Sequence, residues 1–258
     1  MFKELTHIGF ITKNIAESKR CYTAFGGVIL GEGEDRFGNQ YVYIQIAQSV
    51  VELIYTVTDE THPAGWAHLA FMIDPELDFD DSCKELVKKG LRPINGNASD
   101  GRNIAFFLNA ANVKFEIIQQ EDIPRIPNHS DPRVRALNYI SIASTAEISA
   151  KCETFYTSDI GFQKMYVRST PYGKKTLYAY GSDAVETVET SDPGALRKPL
   201  NHISIAVPDC DEAWRRLKDN GITCGKIKPY PEGYQFFDAF GADGEIIVVT
   251  DRLARIQP

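Results

Sequence analysis

The chain has 258 residues, of which 43% are hydrophobic and 24% are charged, and its formal net charge at pH 7 is −7. This composition is typical of a folded globular protein and argues against intrinsic disorder, and the length allows one large domain or two ordinary ones. The acidic balance, without a run of Lys and Arg alternating with aromatic residues, argues against a nucleic-acid-binding protein.

The first predicted element is the strand THIGFITK, which begins at Thr6, and three later segments repeat its pattern. Each copy is a β-type apolar run with a polar residue near its start. The later copies are AHLAFMID from Ala67, NYISIAST from Asn138 and NHISIAVP from Asn201. The sequence therefore predicts a fourfold internal repeat.

A helix is predicted after each of these strands. Apolar residues recur there at helical spacing, as at Cys83, Leu86 and Val87 in the second copy. Asp209 and Asp211 are the candidate N-cap or first-turn carboxylates of the fourth helix. Each helix is expected to end at a glycine that forms a left-handed C-cap. These glycines are Gly26, Gly90, Gly161 and Gly221.

Three short strands, separated by turn residues, follow each predicted helix, so the repeated module has the order β-α-β-β-β. A single module cannot bury both its strands and its helix, and modules should therefore pair. The expected product is a strongly curved sheet that is concave inside and covered by helices outside.

The segment 120–134, QEDIPRIPNHSDPRV, is rich in proline and charge and is the best linker candidate. We therefore predict an N-terminal pair of modules in residues 1–121, a linker at 122–135 and a C-terminal pair in residues 136–258. The alternative arrangement pairs module one with module four and module two with module three. The position of the linker favours the first arrangement.

The five cysteines are odd in number and include no Cys-x-x-Cys pair, which argues against a disulfide framework or a thiolate zinc site. The N-terminal residues lack the apolar core and cleavage site of a signal peptide, and no later stretch has the length and hydrophobicity of a membrane span. We therefore expect a soluble cytoplasmic protein that does not act at a membrane.

Four ionisable residues interrupt apolar strands where buried side chains are expected: His7, Glu52, His68 and Glu116. An unpaired buried charge is costly, so such a carboxylate must be paired, protonated or bound to a metal. Each residue taken alone is better explained as an edge-strand carboxylate or a hydrogen-bonded core histidine. Together, at matching positions of two repeats, they predict one shared site for a divalent metal ion.

Two imidazoles and two carboxylates suit Zn, Ni, Co, Mn or Fe, and no thiolate is present to form a closed structural zinc site. Four protein ligands in an octahedron leave two adjacent positions, at which a small-molecule substrate with two neighbouring oxygens could chelate. The metal would then stabilise an enediolate, and a carboxylate that leaves the metal could act as general base. The predicted reaction is proton abstraction beside a carbonyl, followed by reprotonation.

A βαβββ module with His on its first strand and Glu on its last resembles the vicinal oxygen chelate superfamily. That group includes glyoxalase I, methylmalonyl-CoA epimerase, extradiol ring-cleaving dioxygenases and the fosfomycin and bleomycin resistance proteins. The segments THIGFITKNIAESKRCY, VVELIY, GWAHLAF and FEII carry the resemblance. It implies an α+β fold of four βαβββ modules, paired into two open, curved, barrel-like sheets with helices outside.

The resemblance also implies a set of functional residues. It assigns His7, Glu52, His68 and Glu116 as the metal ligands, with Glu116 as the general base and Glu52 as its opposite number. This ligand set looks like that of bacterial glyoxalase I, so a metal-dependent lyase or isomerase of glyoxalase I or epimerase type is expected.

Two other functions stay open at the sequence level. The four-module length is common among Fe(II)-dependent extradiol dioxygenases, although those use two His and one carboxylate. A concave sheet could also serve a non-enzymatic, drug-sequestering protein whose metal site is vestigial. Tyr43 and Phe107 are candidate pocket walls and Arg102 is a candidate anion-binding residue, although core packing and a solvated surface position are the simpler explanations. We expect a monomer or a homodimer.

The second half departs from the ligand pattern. Asn138 stands at the expected ligand position of the third module, and Val248 stands at that of the last strand. Glu186 is near its expected place and His202 fits well. We predict a degenerate copy that binds no metal. The alternative pairing of modules would instead create two other sites: His7, Glu52 and His202, and His68, Glu116 and Glu186.

Overall fold

The computed structural model describes residues 2–35, 38–56, 63–94, 103–120, 123–170, 173–230 and 232–254. The strands of the first half are β1 (Phe2–Ile11), β2 (Val28–Glu34), β3 (Gln40–Ile46), β4 (Ser49–Tyr55), β5 (Gly65–Ile73), β6 (Arg92–Ile94), β7 (Ile104–Leu108) and β8 (Lys114–Ile118). Its helices are α1 (Ile15–Ala24) and α2 (Phe79–Lys88).

The strands of the second half are β9 (Ala136–Ser144), β10 (Gln163–Thr170), β11 (Gly173–Tyr180), β12 (Asp183–Glu189), β13 (Leu200–Ala206), β14 (Thr223–Cys224), β15 (Lys228–Pro229), β16 (Gln235–Phe240) and β17 (Ile246–Thr250). Its helices are α3 (Ala146–Thr154), α4 (Pro193–Arg197) and α5 (Cys210–Asp219), and one turn of π-helix, Phe155–Asp159, continues α3. The predicted βαβββ order therefore recurs four times, except that in the fourth module the first strand after the helix is divided into β14 and β15, which both pair with β16. The helix α4 is an additional short helix between the third and fourth modules. Among the described helices, none is both long and apolar enough to span a membrane.

The ends of the four main helices follow the predicted capping chemistry. Each begins after a side chain that accepts a hydrogen bond from a backbone N–H of the first turn. These caps are Asn14, Asp78, Thr145 and Asp209. A glycine with positive φ follows each helix or its π-helical extension, as the C-cap prediction requires. These are Gly26, Gly90, Gly161 and Gly221.

The strands form two open, mixed sheets. The first has the order β2-β3-β4-β1-β5-β8-β7-β6, and the second has the order β10-β11-β12-β9-β13-β17-β16-β14, with β15 beside β16. The pairs β1–β4, β5–β8 and β13–β17 are parallel, whereas the hairpin pairs are antiparallel. The first sheet thus joins modules one and two, and the second joins modules three and four. The predicted α+β class with two open sheets is confirmed, while the division into domains at 1–121 and 136–258 stays a prediction.

Two compact units are present in the chain. The first consists of Met1–His7, Ala67–Asp122 and Ser141–Asn201. An aromatic cluster forms its interior, in which Phe115 lies edge-on to Phe71 at 5.2 Å and stacks on Phe155 at 5.4 Å between ring centroids. All three rings are buried, so this cluster holds β5 and β8 against the C-terminal end of α3.

The second compact unit consists of Ile8–Trp66, Ile123–Ile140 and His202–Pro258. Phe10 on β1 lies edge-on to Trp66 at 4.9 Å between ring centroids. The hydroxyl of Tyr22 on α1 donates to Glu245 at 3.2 Å, and Thr12 donates to Asp243 at 2.6 Å. These bonds tie α1 and the end of β1 to the turn that precedes β17.

Candidate metal centre

Two imidazoles and a carboxylate meet on one face of the first sheet. His7 lies on β1 and His68 lies on β5, which are neighbouring strands. The parallel pairing of β5 with β8 places Ala70 beside Glu116, two residues along from His68. Because side chains two residues apart share a face, His68 and Glu116 point to the same side of the sheet.

The three side chains are within contact distance. The Nε2 atoms of His7 and His68 are 3.2 Å apart, and Oε2 of Glu116 is 3.1 Å from His68 Nε2 and 3.8 Å from His7 Nε2. The two rings are perpendicular, with centroids 5.3 Å apart, and each histidine is only 4% exposed. All three therefore aim their ligand atoms at one small, mostly buried space.

Glu52 comes to this group through the pairing of β1 with β4. Its Cα partner on β1 is Gly9, which lies two residues after His7 and so shares the face of that histidine. One ligand atom from each of His7, Glu52, His68 and Glu116 lies within 4.8 Å of all the others. The four residues singled out in the sequence are thus adjacent in the structure.

The spacing of these atoms is that of ligands around a single ion. Ligand atoms bound at about 2.1 Å lie about 3 Å apart when adjacent in an octahedron and about 4 Å apart when opposite. The observed separations of 3.1, 3.2 and 3.8 Å among His7, His68 and Glu116 are of this size. Lone pairs brought this close in a buried place repel unless a proton or cation lies between them. The His/Glu/His/Glu cluster can therefore bind a divalent metal ion.

The charge state of Glu116 also suits a ligand. Burial raises the pKa of its carboxyl, but hydrogen bonds and charge interactions with His68 and His7 outweigh burial and hold the pKa well below its usual range. The carboxylate is therefore ionised at neutral pH, as both metal binding and proton acceptance require.

Thr6 determines which nitrogen of His7 faces the site. Its hydroxyl donates to the carbonyl oxygen of Ala70 at 3.2 Å, and the same Oγ1 lies 3.2 Å from Nδ1 of His7. A hydroxyl has one proton to donate, so Oγ1 offers a lone pair to an N–H at Nδ1. His7 is thereby held as the tautomer in which Nε2, rather than Nδ1, carries the lone pair that a metal would bind.

Replacing Thr6 by Val is expected to weaken metal affinity about 10–100-fold, because the acceptor for Nδ1–H is lost while the shape of the side chain is kept. Competition against a chromophoric chelator measures the affinity. Thr6→Ser, which retains the hydroxyl, is the control and is expected to bind like the wild type. Equal affinity in the wild type and the Val variant would show that the hydroxyl does not orient His7.

The structure places the candidate pocket walls Tyr43 and Phe107 on opposite faces of the first sheet. Tyr43 on β3 is the antiparallel partner of Glu52, so it shares the face of that glutamate, and its side chain is partly exposed there. Phe107 lies opposite Phe115 and is 2% exposed, so its ring faces the core on the reverse side of the sheet. Phe106, which lies opposite Glu116, occupies the position expected for Phe107. Phe106 can be identified as the residue beside Glu116 from the alternation of side chains along β7, but only when the register of β7 against β8 is known. Arg102 lies outside the described residues.

In the second sheet, Tyr139 rather than Asn138 takes the position that corresponds to His7. The rings of Tyr139 and His202 meet edge-on with centroids 6.0 Å apart, much as those of His7 and His68 do. Asn138 is buried on the other face, where its side chain bonds the backbone of Arg252 and Ala254. The repeat itself, with NYISIAST aligned to THIGFITK, places Tyr139 at the position of His7. The assignment of Asn138 to the ligand position was therefore wrong by one residue.

Glu186 on β12 occupies the position that corresponds to Glu52. Each acid is paired with the strand that precedes it in the module: Glu186 with Leu177, and Glu52 with Tyr43. It is 2% exposed, and burial raises the pKa of its carboxyl despite an ion pair with Lys175 at 3.0 Å. Ser141 also donates to it at 3.4 Å. In this module a lysine ammonium therefore supplies the positive charge beside the buried acid.

Residues 4–117 match the model of the Glyoxalase/Bleomycin resistance protein/Dioxygenase superfamily. A comparison of the sequence with curated proteins gives no significant match. The family match therefore covers the modules that carry the metal centre.

Solved structures share the fold over nearly the whole length. The Mn(II)-bound glyoxalase from Novosphingobium aromaticivorans is 17% identical, with a TM-score of 0.68, over 98% of this chain and 83% of that one. The 2,3-dioxygenase LapB from Pseudomonas sp. KL28 is 14% identical, with a TM-score of 0.69, over 99% and 94%. A mutant of 4-hydroxymandelate synthase from Streptomyces coelicolor is 12% identical, with a TM-score of 0.70, over 97% and 92%. At these identities the likeness establishes the fold alone.

Proposed function

We propose that the protein is a metal-dependent lyase or isomerase of glyoxalase type, on the basis of the match of residues 4–117 to the model of the Glyoxalase/Bleomycin resistance protein/Dioxygenase superfamily. Its substrate is a small molecule with two neighbouring oxygens, one of them a carbonyl. A divalent ion held by His7, Glu52, His68 and Glu116 would polarise that carbonyl and stabilise negative charge beside it.

The observation that supports this proposal is the second carboxylate. His7, His68 and Glu116 alone would be the two-His-one-carboxylate set of Fe(II) oxygenases. Glu52 completes a group whose ligand atoms all lie within 4.8 Å, and two carboxylates balance the charge of a divalent ion. The second carboxylate would also supply an acid besides the proposed base, as an isomerisation needs.

In this mechanism Glu116 takes the proton from the carbon beside the carbonyl. On Glu116 this proton exchanges with solvent, and a proton then returns to the neighbouring carbon while the hydroxyl proton moves to the former carbonyl oxygen. The substrate is thereby isomerised without a net change in atoms or electrons. As a carboxylate, Glu116 could take up this proton when it leaves the metal, and Glu52 is the matching carboxylate on the other module. Tyr43 and Phe106 lie beside these acids in the register and are the proposed pocket walls.

Metal analysis and two assays test the proposal. We expect one divalent ion per chain, with deuterium incorporated from D2O into thiol adducts of 2-oxoaldehydes and no oxygen consumed. Oxygen uptake with catechols, dependent on Fe(II) and retained in Glu52→Ala, would instead identify the dioxygenase alternative. Fewer than one ion per chain, or ligand binding without turnover that survives His68→Ala, would favour the non-enzymatic binder.

A further inference from the structure

A buried ion pair lies on the second sheet, on the face that corresponds to the metal centre of the first. Lys175 Nζ and Ser141 Oγ both donate to Oε1 of Glu186, at 3.0 Å and 3.4 Å. Lys175 is two residues from Leu177, the antiparallel partner of Glu186, so the ammonium and the carboxylate share this face. All of these residues belong to the first compact unit. The group is thus contained in a single unit.

Each member of the pair keeps polar atoms that the protein does not use. Within the described part of the chain, Oε2 of Glu186 accepts no hydrogen bond, and two of the three N–H groups of Lys175 have no acceptor. The side chain of Glu186 is only 3% exposed and that of Lys175 is 20% exposed. A carboxylate oxygen is costly to bury without a donor, so Oε2 is available to a donor that is not part of the chain. Lys175 offers further donors beside it.

The fourth module shows that the sheet does not require this pair. Val248 on β17 is paired with Asp238 on the strand before it, as Glu186 is paired with Leu177. An apolar residue therefore fits the same position. Replacing a buried ion pair by apolar residues of similar size is often neutral or stabilising, so stability does not explain the pair. Its position, its opposite charges and its unused polar atoms instead indicate a binding site.

The two charges define the ligand that fits. A cation that donated to Oε2 would also lie near the Lys175 ammonium, and an anion that accepted from Lys175 would lie near the Glu186 carboxylate. A molecule with an ammonium next to a carboxylate sets each of its charges against the opposite charge, through charge-assisted hydrogen bonds. We propose that this face of the second sheet binds a free α-amino acid, whose ammonium donates to Glu186 Oε2 and whose carboxylate accepts from Lys175. The site lies on a different sheet from the metal centre and needs no metal ion.

Saturation-transfer NMR of the full-length chain tests the proposal, with the methyl protons of L-alanine as the probe. The protein is freed of metal with a chelator, so that the amino acid cannot bind through an ion at the metal centre. We expect saturable binding of L-alanine, at least about tenfold tighter than that of propanoate or ethylamine, each of which lacks one of the two charged groups. Propanamide carries an uncharged donor and acceptor, and binding as tight as that of L-alanine would overturn the match of charges.

Glu186→Gln is the most informative variant. The amide has the size of the carboxylate, and Lys175 and Ser141 should hold its oxygen, so that its NH2 group replaces Oε2 and cannot accept from a ligand. L-alanine should therefore bind at least about tenfold more weakly, because one charge-assisted hydrogen bond is lost. Ser141→Ala leaves Oε2 and the ammonium in place and is expected to bind L-alanine like the wild type. Equal affinity in the wild type and Glu186→Gln, or no saturable binding by the wild type, would overturn the proposal.

Replacing the whole pair separates binding from folding. Lys175→Met alone would leave Glu186 as an unpaired buried charge, which is costly. The double variant Lys175→Met with Glu186→Leu removes both charges and should fold, because Val248 shows that an apolar residue fits this position. It should show no saturable binding of L-alanine, while its circular dichroism spectrum stays that of the wild type. Binding that persists in the folded double variant would place the amino acid elsewhere and overturn the site.

Discussion

Glu116→Gln is expected to lower turnover by about 10²-fold or more, because the substitution removes a metal ligand and the proposed general base together. The amide keeps the size of the side chain, so the circular dichroism spectrum should show an unchanged fold. Metal affinity should also fall, since Gln offers no negative charge to a site where Oε2 lies 3.1 Å from His68 Nε2. Metal content and the rate of deuterium exchange are the measurements.

A second glutamate provides the control for this experiment. Glu147 on α3 is exposed and pairs with Lys151 at 2.8 Å, in a surface ion pair of the kind that contributes little to stability. Glu147→Gln should leave metal content and exchange rate unaltered. If Glu116→Gln retained both properties as well, the carboxylate would be neither ligand nor base, and the proposed mechanism would be wrong.

Phe115→Ala is expected to lower the free energy of unfolding by about 3–5 kcal/mol, which is the usual cost of removing a fully buried aromatic ring. Phe115 is 0% exposed, lies edge-on to Phe71 and stacks on Phe155. Its backbone also precedes Glu116, so the cavity would lie directly behind the metal centre. Urea unfolding of the apo protein, analysed by linear extrapolation, measures the loss.

Leu77, which is 41% exposed, offers a matched comparison in the same compact unit. Leu77→Ala should change the free energy of unfolding by less than about 1 kcal/mol, as is usual for surface positions. Adding a metal that binds only the folded state should restore part of the stability of Phe115→Ala by mass action. A loss below about 1 kcal/mol in Phe115→Ala would show that the aromatic cluster does not support β8.

The elements of the fold could be predicted because their causes are local. Helical spacing of apolar residues, a capping side chain at one end and a glycine at the other define α1, α2, α3 and α5 within about 15 residues of sequence. The four-residue site could also be singled out, because a carboxylate such as Glu52 between Val51 and Leu53 is costly to bury and must have a reason to be there.

The register between strands could not be read in the same way. Phe106 rather than Phe107 faces Glu116, and Tyr139 rather than Asn138 faces His202, yet each pair consists of neighbours in an apolar strand. A shift of one residue moves a side chain to the other face of the sheet, and local sequence does not specify which partner residue lies opposite.

The sequence by itself thus determined the four βαβββ modules and the limits of their main helices. It also identified the ionisable residues that mark a site because their burial is costly. The tertiary structure alone decided that β1 lies beside β5, so that His7 and His68 meet, and which neighbours share their face. The reason is physical: helix formation and the cost of desolvating a charge act over a few residues, whereas strand order and register are set by hydrogen bonds between segments that lie far apart in the chain.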